Sequence, residues 1–269
     1  MLPRSLLKNL QSIWLQRALI WQLARHQIKQ QYAATVIGTL WAIIQPVATM
    51  LVFWFVFAYG FKMQFGSSEI PYFLVLFCGF IPWMMFSEAL SGGTGSIIIH
   101  GYLVKKIAFP LEILPIVHIV AACIVHVGML IFLLLILLLY GIFPGLHALQ
   151  LVYFLAATLV FLVGLTWTLS ALNVFQRDIG QALGVLTTLW FWLTPIVWPI
   201  DQINGWARRI IELNPLYYVI QGYRNALLFD EPLFADWQLG IYFWCVSLLL
   251  VLVGGVVFHR LKPHFADVM

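Results

Sequence analysis

Polar and apolar positions along this chain fall into two textures. Over residues 5–30 they alternate at helical spacing. Leu6, Leu10, Ile13, Trp14, Ile20, Trp21, Ala24 and Ile28 share one broad face at about 3.6 residues per turn, and Lys8, Ser12, Gln16, Gln22, His26 and Lys29 occupy the other. The segregation is imperfect: Arg17 falls on the apolar face, and Leu15, Leu19 and Leu23 on the polar one. Arg17 and Arg25 beside Trp14 and Trp21 predict a helix that lies in a membrane interface rather than crossing the membrane. A soluble helix packed on a partner is the competing reading. Beyond it the apolar positions run on in blocks of about 20 residues, the length that crosses a bilayer. They predict spans over residues 36–59, 71–89, 111–140, 149–174, 179–198 and 237–258, the first kinked by Pro46.

Two connections are too rich in side chains to be mere turns. Residues 91–110 set Ile97, Ile98, Leu103, Ile107 and Phe109 among Lys105 and Lys106, a composition that suits a short helix docking a cytoplasmic partner. A basic loop resting on lipid headgroups accounts for the same residues. Residues 199–236 carry Asp201, Arg208, Arg209, Glu212, Asp230 and Glu231, but also Leu213, Leu216, Tyr217, Tyr218, Val219 and Ile220. That mixture predicts short helices dipping part-way into the membrane, broken at the Asn214–Pro215 step.

Composition turns these blocks into a fold class. Of 269 residues, 63% are hydrophobic and 9% charged, with a mean hydropathy of +0.97, more apolar surface than one globular core can hide. The expected architecture is an all-α polytopic membrane protein, a single transmembrane domain over residues 1–269. It has six spans, an N-terminal interfacial helix and re-entrant outer helices between spans five and six. The net charge of +4 sits between spans and at the termini, which argues against a nucleic-acid surface. With the N-terminus inside, Arg4, Lys8, Arg17, Arg25, Lys29, Lys105, Lys106, Arg177, Arg260 and Lys262 are cytoplasmic. Only Lys62, Arg208, Arg209 and Arg224 are then external, so the positive-inside bias places both termini in the cytoplasm. The charges spread through the first 31 residues also argue against a cleaved signal peptide.

Candidate chemistry is sparse. Cys78, Cys123 and Cys245 lie far apart in apolar runs and form no metal or redox motif, and no metal site is expected. The run Gly92-Gly93-Thr94-Gly95-Ser96 lacks the lysine of a phosphate loop and reads as a flexible helix end. His118 and His126 read as polar residues packed between helices. The nearly uncharged spans argue against an ion-coupled transporter. Glu88 is the one candidate for such a group, expected near the inner surface in a structural ion pair with Arg25 or Arg177. The aromatic residues (12 Trp, 10 Tyr and 21 Phe) suit interfacial belts and packing, although their faces also stack on sugar rings.

Four stretches together resemble the membrane subunit of the type 2 ABC exporters that move bacterial polysaccharides, and look most like the O-antigen (lipopolysaccharide) exporters. They are residues 32–57 with GTLWAIIQPVATMLVFWFVF, residues 103–115 (LVKKIAFPLEILP), residues 173–178 (NVFQRD) and residues 214–228 (NPLYYVIQGYRNALL). The ending FADVM is similar to the family's as well, and the resemblance covers essentially the whole chain. It implies a homodimer in the bacterial inner membrane, bound to two copies of a separate cytoplasmic ATPase that holds ATP and Mg; this chain is then no enzyme itself and binds no cofactor. It also implies a tunnel for a lipid-linked polysaccharide. On this sequence the ATPase-coupling region corresponds to Gly95, Ser96, His100, Gly101 and Tyr102, braced by Lys105, Lys106, Phe109 and Pro110. The interfacial helix corresponds to residues 6–30 with Trp14, Arg17, Trp21 and Arg25. The outer gate corresponds to residues 200–228 with Asn214, Pro215, Tyr217 and Tyr218. Trp41, Trp54, Tyr59 and Trp190 are tunnel-lining candidates. A permease for capsule, wall teichoic acid or an amphipathic drug remains open. So does a multispan glycan-processing enzyme drawing on the outer acidic residues.

Overall fold

The computed structural model describes residue 9 and residues 11–33, 35–63, 70–104 and 109–269. Arg4, Leu6, Lys8, Leu10, Lys105, Lys106 and Ile107 therefore lie outside the described residues. The described residues form helices joined by turns and loops, with no strand among them. Helix α1 (Arg17–Gln31) is followed by α2 (Trp41–Phe55), which continues through one wide turn to Gly60. Then come α3 (Tyr72–Ile99), the single turn α4 (Gly101–Val104), α5 (Ile113–Leu139) and α6 (Gln150–Phe175). Helices α7 (Asp178–Leu193), α8 (Trp206–Glu212), α9 (Pro215–Arg224), α10 (Trp237–Leu261) and α11 (Phe265–Val268) complete the chain.

Among the described residues, five helical stretches are long and apolar enough to cross a membrane: residues 38–60, 72–99, 113–139, 146–175 and 237–268. The expected sixth, residues 179–198, is not among them. Helix α7 has 16 residues and so reaches about 24 Å, short of the ~30 Å hydrocarbon core. Its stop has a local cause. The residue before a proline avoids helical dihedrals, and Thr194 ahead of Pro195 is extended at φ −100°, ψ 130°.

Helix α3 is the hub. Of its most apolar window 78% is buried, against 11% for α2, because α5, α6 and α9 all pack on α3 while α2 sits outside them. It also runs ten residues past the expected end of the second span, so Gly95 and Ser96 belong to its last turns rather than to a separate coupling helix. The glycine run is a packing device, not a flexible end. A Cβ on Gly93 would stand 2.7 Å from Cγ2 of Thr166, so α6 approaches where α3 has no side chain. Asn173 of α6 clamps the crossing by donating to the Thr94 carbonyl at 3.2 Å. Helices α6 and α10 meet the same way: a Cβ on Gly164 would lie 2.6 Å from the backbone of Leu250 and Val251.

Candidate functional site

The loop beyond α7 and the short helices α8 and α9 form a hairpin against the Tyr72 end of α3. Arg224, buried to 3% exposure, holds it. Its guanidinium donates to the carbonyls of Val75 (3.2 Å), Pro195 (2.8 Å) and Ile196 (2.8 Å), tying α9 to α3 and to the loop that Pro195 breaks. Planar geometry with several donors suits three converging carbonyls. Asn214 makes the second tie. Its side chain caps α9 by accepting from the Leu216 N–H at 3.1 Å, accepts from Trp190 Nε1 at 2.8 Å, and donates to Thr194 Oγ1 at 2.8 Å. Pro215 fills the first position of α9, where a missing N–H costs nothing.

Tyr217 and Tyr218 are buried in this hairpin. The Tyr218 hydroxyl meets Tyr153 at 3.1 Å, and Trp244 Nε1 donates to Tyr153 at 2.7 Å. Deeper in, His126 Nε2 and the Tyr223 hydroxyl are 2.9 Å apart. Three acidic residues of this segment are engaged structurally. Glu212 pairs with Arg208 at 2.8 Å and raises that guanidinium's proton affinity above its ordinary value; Asp230 lies 3.5 Å from His147; Glu231 accepts from Asn225.

Two cavities flank α3. One, of about 280 Å³, is a groove between α2, α3 and α7. Phe53 packs at 5.2–6.4 Å from Phe80, Phe191 and Trp192, and Thr187 and Thr188 provide hydroxyls beside the rings. The other, of about 500 Å³, lies between α1, α3 and α5 and has a polar wall of Gln27, Gln31, Ser87, Glu88, Ser91 and His118 beside apolar residues such as Ile28, Met84 and Val125. Gln27 Nε2 is 2.8 Å from His118 Nδ1, which joins α1 to α5 across the cavity's end.

The tunnel-lining candidates separate in this geometry. Trp41 is exposed at the start of α2. Trp54 packs on Phe73 and on Tyr59, which is itself 63% exposed. Trp190 turns inward onto Phe86 and Phe161 and serves the Asn214 cap, not the groove. The groove's rings are Phe53, Phe80, Trp83, Phe191 and Trp192, which sequence reasoning did not single out.

The expected ion pair of Glu88 with Arg25 or Arg177 does not form among the described residues. Glu88 sits mid-helix, about 16 Å before the end of α3, whereas Arg177 caps the exposed start of α7. Glu88 instead faces the polar cavity near Tyr32, whose hydroxyl is raised above its ordinary value by burial first and by Glu88 second.

At the other end of α3, His100 closes the helix by placing Nδ1 2.9 Å from the Ser96 carbonyl, and Tyr102 on α4 is 63% exposed. Phe109 and Pro110, half-buried, lead into α5, where Lys262 donates to Glu112 at 2.6 Å and Trp167 to the Glu112 carbonyl at 3.1 Å. The tail folds under this corner. Phe265 is fully buried against Phe175 and Phe258, and Met269 reaches Gly101. Trp14 just before α1 and Trp21 on it are 69% and 49% exposed, Arg17 stacks 4.8 Å over Trp14, and Arg25 is exposed.

Residues 18–228 match a protein family described as ABC-2 type transporter. The chain is 27% identical over 264 residues to the O-antigen export system permease protein RfbA of Myxococcus xanthus, covering 97% of this chain and 99% of that protein. It is 26% identical over 243 residues to a protein of the same name from Klebsiella pneumoniae, covering 90% and 91%. It is 22% identical over 251 residues to the polysialic acid transport protein KpsM of Escherichia coli, covering 93% and 95%.

Proposed function

Because the chain belongs to the ABC-2 type transporter family, an integral multi-pass membrane family, we propose that it is the membrane subunit of an ATP-driven polysaccharide exporter. It works as a homodimer with two copies of a separate ATPase and passes a lipid-linked O-antigen across the bacterial inner membrane. The observation that carries the reading is similarity along nearly the full length to proteins named as O-antigen export permeases. The composition supports it: an apolar helical body with no phosphate loop of its own needs its free energy from elsewhere. Export of a capsule-type polymer is the second reading, favoured by the similarity to KpsM. In the proposed topology α7 and the outer hairpin together make the sixth crossing, so both termini are cytoplasmic.

Tyr102, exposed on α4, and the neighbouring Lys105 and Lys106 are proposed to dock the ATPase. ATP binding draws the two ATPases together, and the differential contact moves the corner formed by α4, α5 and the tail. A Tyr102→Asp/Lys105→Glu/Lys106→Glu protein is expected to stay folded and dimeric while losing co-purification with the ATPase encoded beside it. A stable wild-type chain that captures no ATPase would overturn the exporter reading.

A further inference from the structure

The face of α3 bearing Phe80, Trp83, Ser87, Glu88 and Ser91 has open space on both sides. The polar cavity runs along α3 from Phe80 to Gly92 and the aromatic groove from Phe80 to Ser87, and the two share Phe80, Trp83 and Ser87. Among the described residues lining either cavity there is no lysine or arginine, and Glu88 is the one carboxylate. His118 is held by Gln27.

Resting on the function proposed above, we propose that this stripe of α3 holds an uncharged glycan and that Glu88 makes it selective against acidic sugars. Sugar hydroxyls both donate and accept, and the inner cavity offers hydroxyls on Ser87 and Ser91, an amide on Gln27 and an acceptor carboxyl on Glu88. The weakly apolar C–H faces of the same polymer find a flat surface in the groove, where Trp192 is 48% exposed. A carboxylated or phosphorylated repeat needs fixed cations in a partly desolvated site, and this path supplies a carboxylate instead.

The test uses the chain co-purified with its ATPase from cells making their own surface polymer, followed by hydrolysis and sugar analysis of the glycan it holds. Neutral hexoses, deoxyhexoses or acetamido sugars are expected. A repeat containing uronic acid, sialic acid or phosphate would overturn the proposal. Ser91→Trp, which fills the inner cavity, is expected to lower surface glycan at least about tenfold with the ATPase complex intact. Wild-type export by Ser91→Trp would also overturn it. Should Ser91→Trp not assemble, thiol labelling of Ser91→Cys decides. Protection in cells that make the glycan, but not in cells blocked in its synthesis, supports the site, and equal labelling sinks it. If deleting the chain leaves the surface glycan intact, it is the exporter reading that fails; an acidic repeat with export still dependent on the chain removes only this inference.

Discussion

Arg224 is the residue on which the outer hairpin depends. Counted along the sequence it is one of four external positive charges; in the fold it is an interior strut satisfying carbonyls from α3 and from the loop after α7. Removing it leaves those carbonyls in a dry site, and charge-assisted bonds of this kind contribute more than neutral ones. Arg224→Met is therefore expected to destabilise the protein by on the order of 3 kcal/mol, read as a lowered midpoint of thermal unfolding in detergent. Arg224→Lys recovers only part of the loss, since a single ammonium cannot span the three acceptors. A midpoint unchanged in Arg224→Met would remove the strut from this account. The role was not legible beforehand, because charge along a chain says which side of a membrane a residue favours, not which carbonyls the fold will bring to it.

Among helices, glycine decides who touches whom. Gly164 lies where α6 and α10 press backbone to backbone, and Gly184 on α7 faces open space with nothing within 4 Å of a Cβ built there. Gly164→Leu forces the two helices apart and is expected to cost roughly 1–3 kcal/mol or more, with a lower unfolding midpoint. Gly184→Trp is expected to unfold as wild type does and to lose self-association in cross-linking, since that open face is where a second copy packs in the proposed dimer. A midpoint drop in Gly184→Trp, or intact dimers, would contradict that placement. Gly180 and Gly184 form a small-residue pair at helical spacing, the pattern of close helix contact. Spacing alone identifies small-residue pairs but not the neighbour they meet. The same limit explains α3: its glycine run has the composition of a loop, and only the approach of Thr166 and Asn173 shows why it is helix. What composition does carry is the apolar blocks themselves, and four of the six predicted spans end within three residues of an observed helix. The lining aromatics were the least legible, because belt, core and groove rings look alike until their neighbours are known.

For the whole molecule, the peripheral helices leave apolar surface uncovered: Leu51, Val52 and Phe55 on α2, and Val185, Leu186, Leu189 and Leu193 on α7. In water such surface would drive aggregation; in a bilayer it faces acyl chains or another copy. Whether α7 completes a crossing is decided by two reporters. One is inserted at Arg177, before α7, and the other at Gly205, where φ is +73° and no atom crowds the position. They are expected to report opposite sides, cytoplasmic for Arg177 and external for Gly205. The same side for both would leave five crossings and put the termini on opposite faces.

The brevity of α7 bears on the lipid around it. A helix reaching about 24 Å in a ~30 Å hydrocarbon layer creates a hydrophobic mismatch, relieved by thinning the membrane or by protein taking the place of lipid. The hairpin held by Arg224 and Asn214 begins where α7 stops, so on the proposed topology protein makes up the missing depth of the outer leaflet. A polymer moving past α7 then crosses a shortened acyl barrier before meeting backbone and hydroxyl groups, and the ease of its passage becomes tied to the thickness of the host bilayer.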